Sequence, residues 1–156
     1  MAGYFRFLTE LERHVGEIRE PTKTILKRMH EIIAIFVRGA FVGVKKGNVE
    51  PYFNEIHKKW IDISGYSVFT QDSVAKNHLD TFVRYVDDVL HLFSQGKSVS
   101  EIKYDIELRR GGFETLPFEA PEEVRKKTID EIIYHYAGVL SEMIDEMAIY
   151  FYKKGY

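Results

Sequence analysis

The sequence predicts an all-α protein: an antiparallel bundle of four main helices plus one short helix, with a long C-terminal helix. Three observations carry this. Apolar residues recur at three- and four-residue spacing along most of the chain. The prolines and most of the glycines fall between those periodic stretches or at their ends. No alternating pattern of the kind that half-buried strands need is evident. At 156 residues, 45% of them apolar, with eleven Phe and ten Tyr, the chain is expected to form a single helical domain spanning 1–156. A chain of this size buries roughly two-thirds of its unfolded surface, so no cofactor is needed for folding.

The elements follow in order. Residues 4–19 place Phe7, Leu8, Leu11, Val15 and Ile18 on one helical face. Pro21 suits a first helical turn, so a second helix is expected to begin there, with Ile25, Met29, Ile32, Ile33, Phe36, Ala40, Phe41 and Val44 turned inward. It should stop at Lys45-Lys46-Gly47-Asn48, where two cations face the negative end of the helix and Gly47 can adopt the left-handed cap conformation. Glu50-Pro51 opens a third helix carrying Phe53, Ile56, Trp60 and Ile63 and ending near Ser64-Gly65. A fourth starts around Thr70, Asp72 and Ser73, with Val74, Leu79, Phe82, Val83, Val86, Val89, Leu90 and Phe93 inward and Gly96 as its stop. Ser98 or Ser100 caps a short helix to about Leu108, and residues 109–121, rich in glycine and proline, read as an irregular connection. From Pro121 to Lys154 nothing breaks a helix. Ile129, Ile133, Tyr136, Leu140, Met143, Met147 and Phe151 mark its apolar side. Such a helix would be about 50 Å long, an outer strut that either projects from its subunit or lies across its own bundle.

One segment demands a separate account. From Ile32 to Val44, Arg38 is the only charge in thirteen residues. Ile, Val and Phe dominate it, so two buried strands around Arg38-Gly39 are a rival reading. The helical register enters unbroken from Ile25 and no partner strands are evident, which favours a central helix touched on most sides. Gly39 and Gly43 lie on one stripe of it. Each costs a helix about 1 kcal/mol relative to alanine, so a neighbouring helix is expected to approach closely there.

Composition narrows the function classes. There are no cysteines, which excludes disulfide scaffolds, thiol nucleophiles and Cys-dependent zinc sites. The N-terminus does not read as a signal peptide and no apolar run is long enough for a membrane span, so a cytoplasmic location is the default expectation. Five Asn and Gln stand against 46 charged residues, a bias resembling proteins of hot environments. Net charge is −2, too weak to draw the whole chain onto a polyanion. Residues 1–60 nevertheless carry eleven Lys/Arg against seven Asp/Glu, and the remainder eleven against seventeen. Copies could attract one another head to tail.

Few constellations offer chemistry. Asp88 and His91 have the i, i+3 spacing used in metal-binding bundles, but Glu131, His135, Glu142, Asp145 and Glu146 make poor partners for them, and no metal is expected. Lys45-Lys46, Lys58-Lys59 beside Trp60, and Arg109-Arg110 are short basic clusters that could contact phosphates. No nucleophile elbow or phosphate-cradling glycine loop is present.

Two resemblances bear on this. Arg84 and His91, with six residues between them, resemble the Arg/His motif of HEPN ribonucleases, small helical proteins that dimerise to form the cleft. The resemblance implies those two side chains as catalytic. The segments RGAFVGVKKGN (38–48) and RYVDDVLHLFSQGKS (84–98) resemble the translin family of helical, octamer-forming nucleic-acid binders. Val83-Arg84 stands where that family has Gln-Glu, Asp87-Asp88 where it has Glu-Ala, and its Gly-Glu-Leu motif has no clean counterpart near Glu142. The expected function is a non-catalytic, self-associating helical protein, such as a scaffold, adaptor or coat subunit, whose partner is itself. The alternative is a nucleic-acid-binding protein, with or without ribonuclease activity.

Overall fold

The structure is a computed structural model that describes residues 19–95 and 129–156. The expected helices at 4–19 and 98–108, the connection at 109–121, and residues 121–128 lie outside the described residues. Within them are five helices: α1 (Thr22–Lys46), α2 (Glu50–Ser64), α3 (Ser67–Gln71), α4 (Ser73–Phe93) and α5 (Ile129–Lys153). The described residues contain no strand, so the apolar run is helical.

Local chemistry sets the helix ends. Pro21 is the residue preceding α1, one position earlier than expected, and the Glu20 carboxylate accepts from the Thr24 N–H at 3.3 Å. At the other end Gly47 has φ 75° and its N–H reaches the Gly43 carbonyl, the left-handed stop that lets the chain reverse. Asn48 Oδ1 accepts from Glu50 N–H, and α2 starts with Pro51 in its first turn. The Asp72 carboxylate accepts from the N–H groups of Val74 and Ala75. This satisfies two donors at the start of α4.

The four long helices alternate in direction. Lys59 pairs with Glu31 across α1 and α2, Trp60 donates to Asp80 across α2 and α4, and Thr22 donates to the backbone oxygen of Tyr156 beside α5. α1 and α4 pack on each other, and each of α2 and α5 packs on both. α1 is therefore central: Ile25, Leu26, Met29, Ile32 and Phe36 are fully buried, and its apolar run touches three helices.

The glycines do what their spacing predicts. A Cβ at Gly39 would lie 2.9 Å from Tyr52 Cβ and 3.1 Å from Leu90 Cδ1, and one at Gly43 would lie 2.7 Å from Val49 Cγ1. Each glycine is a notch into which α2 or its leading residue settles.

Two expectations need correction. Val44 and Val74 are 40% and 50% exposed, because each sits at a helix end that runs past its neighbours. The residues between α2 and α4 form the additional short helix α3. α5 is described over 25 residues, as long as α1, about 37 Å, and it lies across its own bundle. It buries Ile132, Ile133, Tyr136, Leu140, Ile144, Met147 and Phe151 against α1 and α4.

Candidate functional site

The seam between α2 and α4 gathers the most polar chemistry. Phe53, His57 and Trp60 recur along one face of α2, and Lys76, Asp80, Arg84, Asp87 and His91 along one face of α4. His57 Nε2 donates to Asp87 Oδ2 at 2.6 Å. Trp60 Nε1 donates to Asp80 Oδ1 at 3.0 Å, and Lys76 reaches the same oxygen at 2.7 Å while lying 5.3 Å from the Trp60 ring. The second Asp87 oxygen is buried without a hydrogen-bond partner. Burial raises the Asp87 pKa, and the hydrogen bond from His57 offsets part of that rise. The carboxylate orients the His57 ring through Nε2.

Arg84 and His91 share the outer part of this α4 stripe and both are exposed. His91 Nε2 accepts from the Gln95 side chain at 2.8 Å. Asp88 is half-buried. The Asp88 and His91 pair gains no third ligand: among the described residues no three His, Asp or Glu side chains gather in a way that could hold a metal ion. The His57–Asp87 contact was not legible in sequence, since thirty residues separate its members and only the antiparallel pairing of two helices brings them together.

The expected nucleic-acid residues fall on two described helices and in one segment outside the described residues. Lys45 and Lys46 are exposed at the far end of α1; Lys58 is exposed midway along α2, and Lys59 is occupied by Glu31 at 2.8 Å. Arg109 and Arg110 lie outside the described residues. A different cluster forms where α1 begins and α5 ends. Arg19 donates to the Gly155 carbonyl and Thr22 to the Tyr156 backbone oxygen, which brings Arg19, Lys23 and Lys27 to the same end as Lys153 and Lys154.

Beside that end, Asp72 fastens the last residues. Tyr156 and Tyr150 donate to Asp72 Oδ2 at 2.7 and 2.8 Å. These hydrogen bonds, Tyr156's being the stronger influence, hold the Asp72 pKa down at about 2. Burial and the same carboxylate push Tyr150 up to about 12. Tyr156 N–H reaches the Phe151 carbonyl, Gly155 N–H reaches that of Tyr152, and Gly155 has φ 79°, which together make a Schellman cap. A half-open cleft of about 310 Å³ adjoins it, lined in part by Arg19, Glu20, Ser67 and Gln71.

The outer side of α5 is the remaining feature. Tyr134, Gly138, Ser141, Asp145, Ile149 and Tyr152 recur along one stripe. Tyr134 is 61% exposed, Ile149 39% and Tyr152 53%. The Tyr134 ring meets Phe41 of α1 edge-on at 5.7 Å, so the stripe is continuous with the half-buried outer edge of the oily run. A Cβ at Gly138 would have nothing within 4 Å. The reasoning applied to Gly39 and Gly43 could have flagged this third glycine, which also stands inside an unbroken helical register.

Comparison with protein-family models, with curated proteins and with solved structures finds no match to this chain. No helix of the described residues is long and apolar enough to cross a membrane.

Proposed function

We propose that the protein is a non-catalytic, self-associating helical subunit, and that the outer face of α5 with the adjoining edge of α1 is where copies meet. One observation carries this reading. In this molecule a mid-helix glycine otherwise marks a neighbour: Gly39 and Gly43 each receive a side chain closer than any Cβ would allow, whereas Gly138 faces open space between exposed Tyr134 and Ile149. A mid-helix glycine that costs about 1 kcal/mol, set among exposed aromatic and aliphatic residues, suits a contact with a second molecule. Tyrosines are favoured anchors of such contacts, and exposed apolar patches commonly mark them. Size-exclusion chromatography with light scattering at micromolar concentration tests it. The expected mass is a multiple of 18.3 kDa, reduced by the pair Tyr134→Asp and Ile149→Asp. A strictly monomeric wild type would remove the proposal.

A second reading, nucleic-acid binding, is favoured by the cations gathered where α1 begins and α5 ends, with Tyr152 exposed among them. Lys and Arg neutralise phosphates and a tyrosine ring can stack on a base. Fluorescence anisotropy of labelled single-stranded RNA and DNA at two salt concentrations decides it: binding should weaken steeply with salt and fall when Lys153 and Lys154 become Gln. Absence of binding at low salt would exclude it.

A further inference from the structure

We propose that the cleft between the start of α1, the short helix α3 and the residues after α5 binds a small monocarboxylic acid, with Arg19 as its anchor. This rests on neither reading above, since neither the α5 stripe nor Lys153 and Lys154 line the cleft. At about 310 Å³ it lies at the small end of the range that organic ligands occupy. One wall is already in place. Arg19 Nη2 donates to the Gly155 carbonyl at 3.2 Å, Thr22 donates to the Tyr156 backbone oxygen, and the Tyr156 hydroxyl rests on Asp72. The last residues are thereby held against α1 before any ligand arrives, so binding need not order them.

The lining groups choose the ligand. The bond to Gly155 uses one N–H of the Arg19 guanidinium, and Arg19 makes no other hydrogen bond or ion pair among the described residues. The remaining fork matches a carboxylate with two parallel N–H···O bonds. From α3 the cleft receives Ser67 and Gln71, one turn apart and both exposed, whose side chains have no protein partner among the described residues. A hydroxyl and an amide N–H there can donate to the lone pairs the guanidinium leaves over. Glu20 also lines the cleft, and its charge disfavours a phosphate monoester, which carries about −1.5 to −2 at neutral pH. Pro21, Val68 and Tyr156 give the acid's carbon body an apolar surface to lie on. The Tyr156 ring is fixed edge-on against Phe151 at 5.8 Å.

Benzoate is the probe, with benzamide, acetate and phenyl phosphate as comparisons. Each is titrated into the isotope-labelled whole chain, up to the millimolar range, and followed by backbone amide resonances. Benzoate should shift the signals of Ser67, Gln71, Gly155 and Tyr156 saturably. Uncharged benzamide should leave them in place, while acetate, lacking the ring, and phenyl phosphate, carrying the extra charge, should bind several-fold more weakly. Arg19→Gln should raise the benzoate Kd about tenfold, and Arg19→Lys should recover only part of that, because an ammonium lacks the fork. Gln71→Glu changes an exposed side chain, so the spectrum should stay that of the folded protein while benzoate binding is lost to like-charge repulsion. The proposal is overturned if benzoate moves no signal, or if it binds the Arg19→Gln chain as tightly as the wild type. Benzamide, acetate or phenyl phosphate binding as tightly as benzoate would overturn it equally, because the cleft would then not be selecting a carboxylate on an apolar body.

Discussion

Replacing Gly39 by alanine should destabilise the protein, although alanine is the better helix former. The substitution regains about 1 kcal/mol of helix propensity. Against this, the new methyl would sit 2.9 Å from both Cβ and Cγ of Tyr52 and 3.1 Å from Leu90 Cδ1, where carbon pairs prefer about 3.5–4.0 Å. Tyr52 Cβ is attached directly to the α2 backbone and cannot swing aside. α2 must therefore back away by more than half an ångström, while Ile56 and Ile63, both fully buried, resist the shift. Overpacking of this kind costs about 1–3 kcal/mol, here near the upper end because two helices are pushed at once. The net loss should be about 1–2 kcal/mol. Urea unfolding with linear extrapolation measures it, with an unchanged m-value showing that the folded and unfolded states keep their compactness. The control is Gly138→Ala, whose methyl meets nothing within 4 Å. It should stabilise the isolated chain by about 0.5–1 kcal/mol and weaken self-association. A Gly39→Ala protein as stable as wild type would refute the notch account of these glycines.

Two predictions concern acid. Burial lowers the His30 pKa from 6.5 to about 4, so the unfolded chain takes up a proton in that interval that the folded chain refuses. The stability this group confers is complete above about pH 6.5 and declines as pH falls toward 4. Full burial would make it at most about 3 kcal/mol, and partial solvent contact reduces it to the order of 1–2 kcal/mol; His30→Leu should flatten the profile in that window. Asp72 has its pKa depressed from 3.8 to about 2, so its contribution is whole above about pH 4 and lost as pH approaches 2. Asp72→Asn should abolish that lower stage and speed amide exchange over residues 150–156, as followed by hydrogen exchange at neutral pH.

Much of the bundle was legible because its helices are amphipathic and well punctuated. Leu79, Phe82, Val83, Val86, Val89, Leu90 and Phe93 are buried as their spacing demands, and Gly47 ends α1 in the left-handed conformation expected of it. The misses share a cause: periodicity describes one helix at a time. α5 packs on two helices, so its buried face widens to take in Ile132, Ile144 and Ala148, beyond the narrow stripe that steps of four and three pick out. Val74 obeys the register of α4 but sits in its first turn, where no neighbour reaches. α3 was hidden because five residues after Gly65 and Tyr66 hold too little pattern to separate a helix from a turn. At the candidate sites the same limit is sharper. Arg84 and His91 share a face by spacing alone, whereas His57–Asp87, Trp60–Asp80 and the tyrosines on Asp72 depend on helix pairing that no local pattern encodes.

The three residues that join α1 to α2, Gly47 to Val49, have a duty beyond reversing the chain. Gly39 and Gly43 stand one helical turn apart, so they are near-equivalent sockets. A slide of about 5.4 Å would carry Tyr52 from the first to the second, at the cost of displacing Ile56 and Ile63 from their buried places. The tether forbids that slide, because it has no slack to lengthen by a turn. Uniqueness of alignment between these two rods is thus imposed by a short leash, and two or three residues inserted after Asn48 would let the hairpin sample both settings.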